Sequence, residues 1–196
     1  MIIHQENSND WPAQYTYREL ASASATDRGE LLHHAYMMAQ GGETADGKEP
    51  VRGSTQSQPH GAPQRRGHRP QPTILVVDDE EPVRETLVEV LSIHGYRVIT
   101  AASVGEAEEV KQRLGAEGIH LVITDIHLTP GSQLRAGYVL AQRWRTQHPG
   151  LPIILISGDA NNQDLPEVRD GSLRFLLKPF QMETFLGVVR EALGLS

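Results

Sequence analysis

Chemically active side chains stand directly after short apolar segments at several points of this 196-residue sequence. They comprise two adjacent acids, a third acid, a hydroxyl and an amine followed by proline, at Asp78-Asp79, Asp125, Ser157 and Lys178. If the apolar segments are neighbouring parallel strands about 4.8 Å apart, Asp78, Asp79 and Asp125 converge on one pocket. Carboxylates that close need a compensating charge, which a hard divalent cation such as Mg²⁺ supplies through oxygen ligands. We therefore expect a Mg²⁺ site, with Lys178 as a fixed positive charge beside it.

Acids that follow a strand also have a simpler use, because they can cap the next helix. Glu80 and Glu81 fit that use, since the positive end of the helix dipole attracts carboxylates. One acid pair alone would be weak evidence for a site. Acids after two strands, a hydroxyl after a third and a Lys-Pro pair after a fourth form a much more specific pattern.

The elements that must position these side chains alternate regularly from residue 73 onward. Short β-prone segments are predicted at residues 74–77, 97–100, 119–124, 153–156 and 175–177, each followed by a helix. Near-continuous aliphatic strands separated by helices indicate a parallel sheet covered on both faces. The pattern predicts an α/β fold with a doubly wound five-stranded parallel sheet, whose ligands bind beyond the carboxyl ends of the strands.

The predicted helices have recognisable ends and faces. Ser103 and Glu106 have the spacing of a capping box. Asp164 and Glu167 are expected to cap a short helix before the fifth strand. The helix over residues 137–147 is expected to turn three apolar side chains inward, namely Val139, Leu140 and Trp144.

The first 72 residues differ in composition from the rest. Residues 48–72 contain five Pro and three Gly with few aliphatics, so they are predicted to be a disordered linker. Within residues 1–47, Asp27 and Glu30 have capping-box spacing, and the apolar side chains that follow predict one short helix that ends near Gly41. Such a helix either docks on a partner surface or frays on a disordered arm. We predict a largely disordered N-terminal extension before one domain over residues 73–196.

Composition excludes several classes of function. The formal net charge of −7 disfavours direct binding to nucleic-acid phosphates. The lack of cysteine excludes disulfide scaffolds, thiolate metal sites and cysteine nucleophiles. A membrane-spanning helix needs about 20 apolar residues, and no apolar run in the sequence is nearly that long. The N-terminal residues also lack the basic-then-apolar order of a signal peptide. These features are compatible with the cytoplasm, which is the location we predict.

Several short motifs together resemble the receiver domain of two-component response regulators. They are Val76-Val77-Asp78-Asp79-Glu80, Thr124-Asp125, Ile156-Ser157-Gly158 and Phe175-Leu176-Leu177-Lys178-Pro179-Phe180. The resemblance covers about residues 73–194 and implies the flavodoxin-like strand order 2-1-3-4-5. It implies a bacterial signalling protein rather than an enzyme. Because the last predicted helix runs to within two residues of the end, we expect a stand-alone receiver without an output domain.

The resemblance also implies a role for each site residue. Asp125 would accept a phosphoryl group from a histidine kinase or a phosphotransfer protein. Lys178 and Ser157 would contact phosphoryl oxygens, and a movement of Ser157 and Phe175 would switch a surface that binds a downstream protein or relays phosphate. The family implies a cis bond between Lys178 and Pro179. The groups expected to hold Mg²⁺ are Asp78, Asp79, Asp125 and the main-chain carbonyl of His127.

Three other functions stay open at this point. A degenerate receiver would bind a partner without being phosphorylated. An Mg²⁺-dependent phosphatase could use Asp125 as its nucleophile, but haloacid-dehalogenase enzymes need a second acid where this chain has His127. A flavodoxin-type cofactor binder needs a Ser/Thr/Gly-rich loop after the first strand, where the acids of residues 78–81 would repel an anion.

Overall fold

A computed structural model describes residues 16–24, 26–31, 71–128 and 135–195 of the chain. The strands are β1 (Thr73–Val77), β2 (Arg97–Ala101), β3 (Leu121–Asp125), β4 (Ile153–Ser157) and β5 (Arg174–Leu177). The helices are α1 (Tyr17–Ser22), α2 (Glu81–Ile93), α3 (Val104–Leu114), α4 (Ala136–Gln147), α5 (Pro166–Arg169) and α6 (Met182–Ala192). Residues 26–31 are also helical, and 3₁₀ turns lie at Ala116–Gly118 and Ala160–Asp164. Within these described ranges, every helix is too short or too polar to cross a membrane.

The five strands form one parallel sheet in the order β2-β1-β3-β4-β5, which confirms the predicted doubly wound, flavodoxin-like fold. Helices cover both faces of the sheet. In β1, Ile74 and Val76 pack towards α2 and α6, whereas Leu75 and Val77 pack towards α3 and α4. Alternate residues of a strand point to opposite faces, and both sets of side chains are buried because helices cover each face. This two-sided burial accounts for the continuous aliphatic runs of the sequence.

Some helix details differ from the predictions. Val139 is 59% exposed, because Leu140, Ala141 and Trp144 form the buried face of α4. The side chain of Val139 therefore lies on the solvent side of the helix, about 100° from that of Leu140.

Ser103 does cap α3 by accepting from the N–H of Glu106. The Glu106 carboxylate, however, accepts from the N–H of Ala102 and does not complete a reciprocal capping box.

The cap predicted for the short helix is also wrong. Asp164 ends the preceding 3₁₀ turn, whose own cap is Asp159, and the residue that precedes α5 is Leu165, which makes no side-chain cap hydrogen bond. The helix itself is short, as predicted, because Pro166 begins it and Gly171, with a φ of 75°, follows its end.

Two parts of the N-terminal extension, residues 16–24 and 26–31, belong to the described residues and are largely helical. α1 begins at a capping box in which Thr16 and Glu19 satisfy each other's backbone N–H groups. The predicted helix start at Asp27 is wrong, because Asp27 lies within helical residues 26–31 and donates its N–H to the Ser24 hydroxyl. Leu20 is fully buried against the domain. The rest of the predicted helix, up to Gly41, and most of the predicted linker lie outside the described residues.

Candidate functional site

The strand register brings the predicted site residues to one edge of the sheet. Val77 pairs with Thr124, so the residues that follow them, Asp78 and Asp125, lie level with each other. Asp125 pairs with Ile156, and Ser157 pairs with Leu177, the residue before Lys178. The carboxyl ends of four neighbouring strands therefore surround one pocket, as the sequence predicted.

Lys178 joins the two buried acids of this pocket. Its ammonium Nζ donates to Asp78 Oδ2 at 2.9 Å and to Asp125 Oδ2 at 2.5 Å, and it lies 3.9 Å from Glu80 Oε1. The three side chains that bond are almost closed to solvent, with exposures of 8% for Lys178, 2% for Asp78 and 10% for Asp125. The low local dielectric strengthens the attraction within an ion pair this buried, but removing its charges from water is costly. Loss of any one of the three side chains would therefore leave a buried charge without its partner.

Backbone donors fix the second oxygen of each acid. The N–H of His127 donates to Asp125 Oδ1 at 2.7 Å, and the N–H of Glu80 donates to Asp78 Oδ1 at 2.9 Å. Each carboxylate is therefore held between a main-chain amide on one oxygen and the lysine on the other. This double restraint orients the plane of both carboxyl groups before any ligand binds.

The electrostatics of the pocket follow from this burial. Burial raises the pKa of Asp78 to about 6, against the opposing influence of Lys178. Burial alone would lower the pKa of Lys178, but the carboxylates of Asp78 and Asp125 outweigh it and hold the lysine pKa above its ordinary value. Lys178 is consequently a permanent cation, while Asp78 changes charge in the mildly acidic range.

Two of the three acids expected at this site, Asp78 and Asp125, meet at the ammonium of Lys178. Asp79 follows Asp78 at the end of β1 and is half-buried. Among the residues that the structure describes, there is no group of three or more His, Asp or Glu side chains arranged to hold a metal ion.

Ser157 is fully buried at the end of β4, and its hydroxyl oxygen is held by two donors. The N–H of Asp159 donates to it at 3.1 Å, and Nδ2 of Asn162 donates at 2.9 Å. Asn162 is itself fully buried, and its Oδ1 has no hydrogen-bond partner within the described part of the chain. Phe175, in β5, is half-buried against the apolar cluster on the α3–α4 face. The Lys178–Pro179 bond is cis, as predicted.

Sequence reasoning missed three residues that shape the site. Arg84 donates from Nη1 to the main-chain oxygen of Asp78 at 2.7 Å, and Asn162 holds Ser157. Gly137 gives α4 room to lie against β3, since a Cβ there would be 1.7 Å from the carbonyl oxygen of Asp125. The only sequence signal for Gly137 was a glycine in the first turn of a predicted helix, where a side chain is ordinarily tolerated.

Two curated proteins illustrate the relatives of this chain. Sensor kinase CckA of Brucella abortus is 36% identical over 124 residues, which cover 62% of this chain and 12% of CckA. Response regulator protein FleR of Pseudomonas aeruginosa is 32% identical over 123 residues, which cover 62% of this chain and 24% of FleR. The chain therefore matches only a small part of the length of either relative.

Solved structures show the same likeness. TrrA from Thermotoga maritima, solved in complex with Mg²⁺-BeF, is 29% identical, with a TM-score of 0.53 and coverage of 62% of this chain and 99% of TrrA. The receiver domain of NtrX from Brucella abortus is 35% identical, with a TM-score of 0.53 and coverage of 63% and 99%. The family described as response regulator receiver domain matches residues 74–190, a span that contains the whole pocket. The chain belongs to the response-regulator receiver family of two-component systems.

Proposed function

We propose that this chain is a phosphorylation-dependent signalling receiver, which accepts a phosphoryl group on Asp125 from a histidine kinase or a phosphotransfer protein. The double contact of Lys178, whose ammonium donates to both Asp125 and Asp78, carries the proposal. A lysine held in this way can stay paired with Asp78 while it offsets new negative charge on Asp125. Packing alone does not call for this arrangement, since burying an ion pair is often no more stable than burying apolar side chains.

The proposed reaction is a phosphoryl transfer between two side chains. A carboxylate oxygen of Asp125 would bond to phosphorus while the bond from phosphorus to the donor's histidine nitrogen breaks, and the released nitrogen would take up a proton. The amide N–H of His127, at 2.7 Å, restricts rotation of the Asp125 carboxylate during this step. Lys178 supplies fixed positive charge where negative charge accumulates.

Mg²⁺ is the cofactor that we propose for the pocket. The donor set fits it, because Asp78 and Asp125 offer buried carboxylate oxygens, which are hard ligands, and Mg²⁺ usually keeps several waters beside one or two carboxylates. The groups that would hold it are Asp78, Asp79, Asp125 and the main-chain carbonyl of His127. When bound, the ion would neutralise charge between carboxylate and phosphoryl oxygens.

Ser157 and Phe175 are the proposed switch. The Ser157 hydroxyl oxygen accepts from Asp159 and Asn162, so its O–H would donate to a phosphoryl oxygen on Asp125 when the side chain moves towards it. Phe175 is half-buried in the adjacent strand and would turn further inward. We propose that residues 73–196 act in the cytoplasm as one receiver unit, which passes the change to a downstream protein by binding rather than by catalysis.

The proposal is tested by incubating the full chain with acetyl phosphate and Mg²⁺ and measuring its intact mass. We expect the wild-type chain to gain one phosphoryl group and Asp125→Asn to gain none. The matched control is Asp164→Asn, which replaces an exposed acid and should behave as wild type. Absence of a gain in wild type, or an equal gain in Asp125→Asn, would refute the assignment.

A further inference from the structure

The outer surface of α2 and α6, here called the α2–α6 face, is covered by residues 16–24 and 26–31 of the same chain, here called the N-terminal segment. Leu20 belongs to the same apolar cluster as Leu87 of α2 and Phe185 of α6, and none of its surface is exposed. Ala21 and Leu31 pack against this cluster with part of their surface buried. The N-terminal segment therefore adds a third layer to one side of the domain.

A polar contact fixes the direction of this layer. The guanidinium of Arg28 donates from Nε to Glu89 at 2.8 Å and from Nη2 to Glu85 at 2.9 Å. Glu85 and Glu89 lie one turn apart on α2, so their like charges repel unless a cation lies between them. Arg28 is only 3% exposed, which is unusual for arginine, whereas Glu85 and Glu89 remain partly open to solvent. The α2–α6 face thus holds one apolar side chain and one guanidinium.

The layer also reaches the functional edge of the sheet. Thr16 forms a β-bridge with Gln181, three residues after Lys178. The segment begins at the rim of the pocket and continues along α2 to Glu85 and Glu89.

The segment has the properties of a ligand rather than of a core element. α1 spans six residues, and a helix that short is not stable by itself in water. Its order therefore comes from the contacts of Leu20 and Arg28 with the domain. Because the segment is covalently joined to the domain, its effective concentration at the face is high, on the order of 1 mM for a tethered ligand.

We propose that the α2–α6 face is a protein-docking surface, and that the N-terminal segment occupies it as an exchangeable intramolecular ligand. A partner suited to this face presents a short amphipathic helix with an apolar side chain and an arginine spaced like Leu20 and Arg28. Such a partner binds by displacing the segment, so the chain limits access to its own face. This inference does not rest on the phosphorylation of Asp125.

A labelled peptide with the sequence of residues 14–33 tests the proposal by fluorescence anisotropy against the full chain. In wild type, the tethered segment competes with the peptide; in Leu20→Asp and in Arg28→Glu, the face is vacated. We expect the peptide to bind these two variants at least about tenfold more tightly than wild type. Arg18→Glu is the matched charge reversal at an exposed position of α1 and should behave as wild type. Equal binding to all four chains, or to none, would overturn the proposal.

Hydrogen exchange on the wild-type chain provides a second measurement in case a variant unfolds. If the segment exchanges on and off the face, the amides of α1 open with a lower free energy than those of α2, without unfolding of the sheet. Identical opening free energies for α1 and α2 would mean that the segment is an integral part of the fold, and would contradict the proposal.

Discussion

Gly137 offers a sharp test of how the acceptor aspartate is positioned. A Cβ at this residue of α4 would lie 1.7 Å from the carbonyl oxygen of Asp125 and 2.7 Å from Oγ1 of Thr124. Actual Cβ contacts essentially never fall below 3.0 Å. In Gly137→Ala, the start of α4 and the end of β3 must therefore separate by more than about 1 Å, because closely packed backbone atoms cannot rotate away.

Two opposing effects set the magnitude. Replacing glycine by alanine within a helix ordinarily stabilises a protein by about 0.5–1 kcal/mol. Overpacking a close contact costs about 1–3 kcal/mol. We expect the overpacking to dominate, with a net loss of about 1–2 kcal/mol in the free energy of unfolding. A displacement of about 1 Å at Asp125 should also slow its phosphorylation, by up to about 100-fold.

Urea unfolding and the rate of phosphorylation by acetyl phosphate measure these two effects. The matched control is Gly187→Ala in α6, where the new Cβ would meet no described atom within 4 Å beyond its chain neighbours and the backbone of its own helix. We expect this control to be at least as stable as wild type and to be phosphorylated at the wild-type rate. If Gly137→Ala were as stable as the control and equally reactive, the close contact between α4 and Asp125 would not constrain the site.

Two further substitutions test other parts of the structure. Since burial raises the pKa of Asp78 to about 6, the folded state binds this proton more tightly than the unfolded state, and its contribution to stability is lost as pH rises through 6. Relative to Asp78→Asn, the unfolding free energy of wild type should fall by about 2 kcal/mol from pH 4.5 to 7; a constant difference would contradict the shift. Glu108 accepts the indole N–H of buried Trp144, so Glu108→Ala should cost about 1–3 kcal/mol in urea unfolding. The neighbouring Glu109→Ala, at an exposed position, should cost little, and equal losses would count against the indole contact.

Most of what could be predicted came from the alternation of strands with helices and from the types of side chain that follow the strands. Runs such as residues 74–77 read as buried strands because both faces of the sheet are covered, and the ends of parallel strands meet at one edge. The meeting of Asp78, Asp125 and Lys178 follows from those two facts. The two donors that hold the Ser157 hydroxyl do not, because Asn162 reaches Ser157 only through the 3₁₀ turn that follows β4.

The N-terminal segment was hard to predict for a physical reason. α1 is too short to show an apolar period, and the surface that stabilises Leu20 belongs to α2 and α6, far along the chain. Arg28 reads in sequence as an ordinary surface charge, and only the fold brings Glu85 and Glu89 to it. The error at Val139 is smaller and concerns which side of α4 faces the core. The sequence pattern assigns Val139 to the buried side next to Leu140, but a step of one residue around the helix leaves its side chain exposed.

The position of the phosphoryl group within the chain tests the central claim most directly. The full chain would be phosphorylated with acetyl phosphate and Mg²⁺, reduced with borohydride to convert an aspartyl phosphate to homoserine, digested and sequenced by mass spectrometry. We expect homoserine at position 125 alone. Modification at Asp78 or Asp79, phosphate on a histidine, or an unmodified residue 125 would contradict the assignment of Asp125 as the phosphoacceptor.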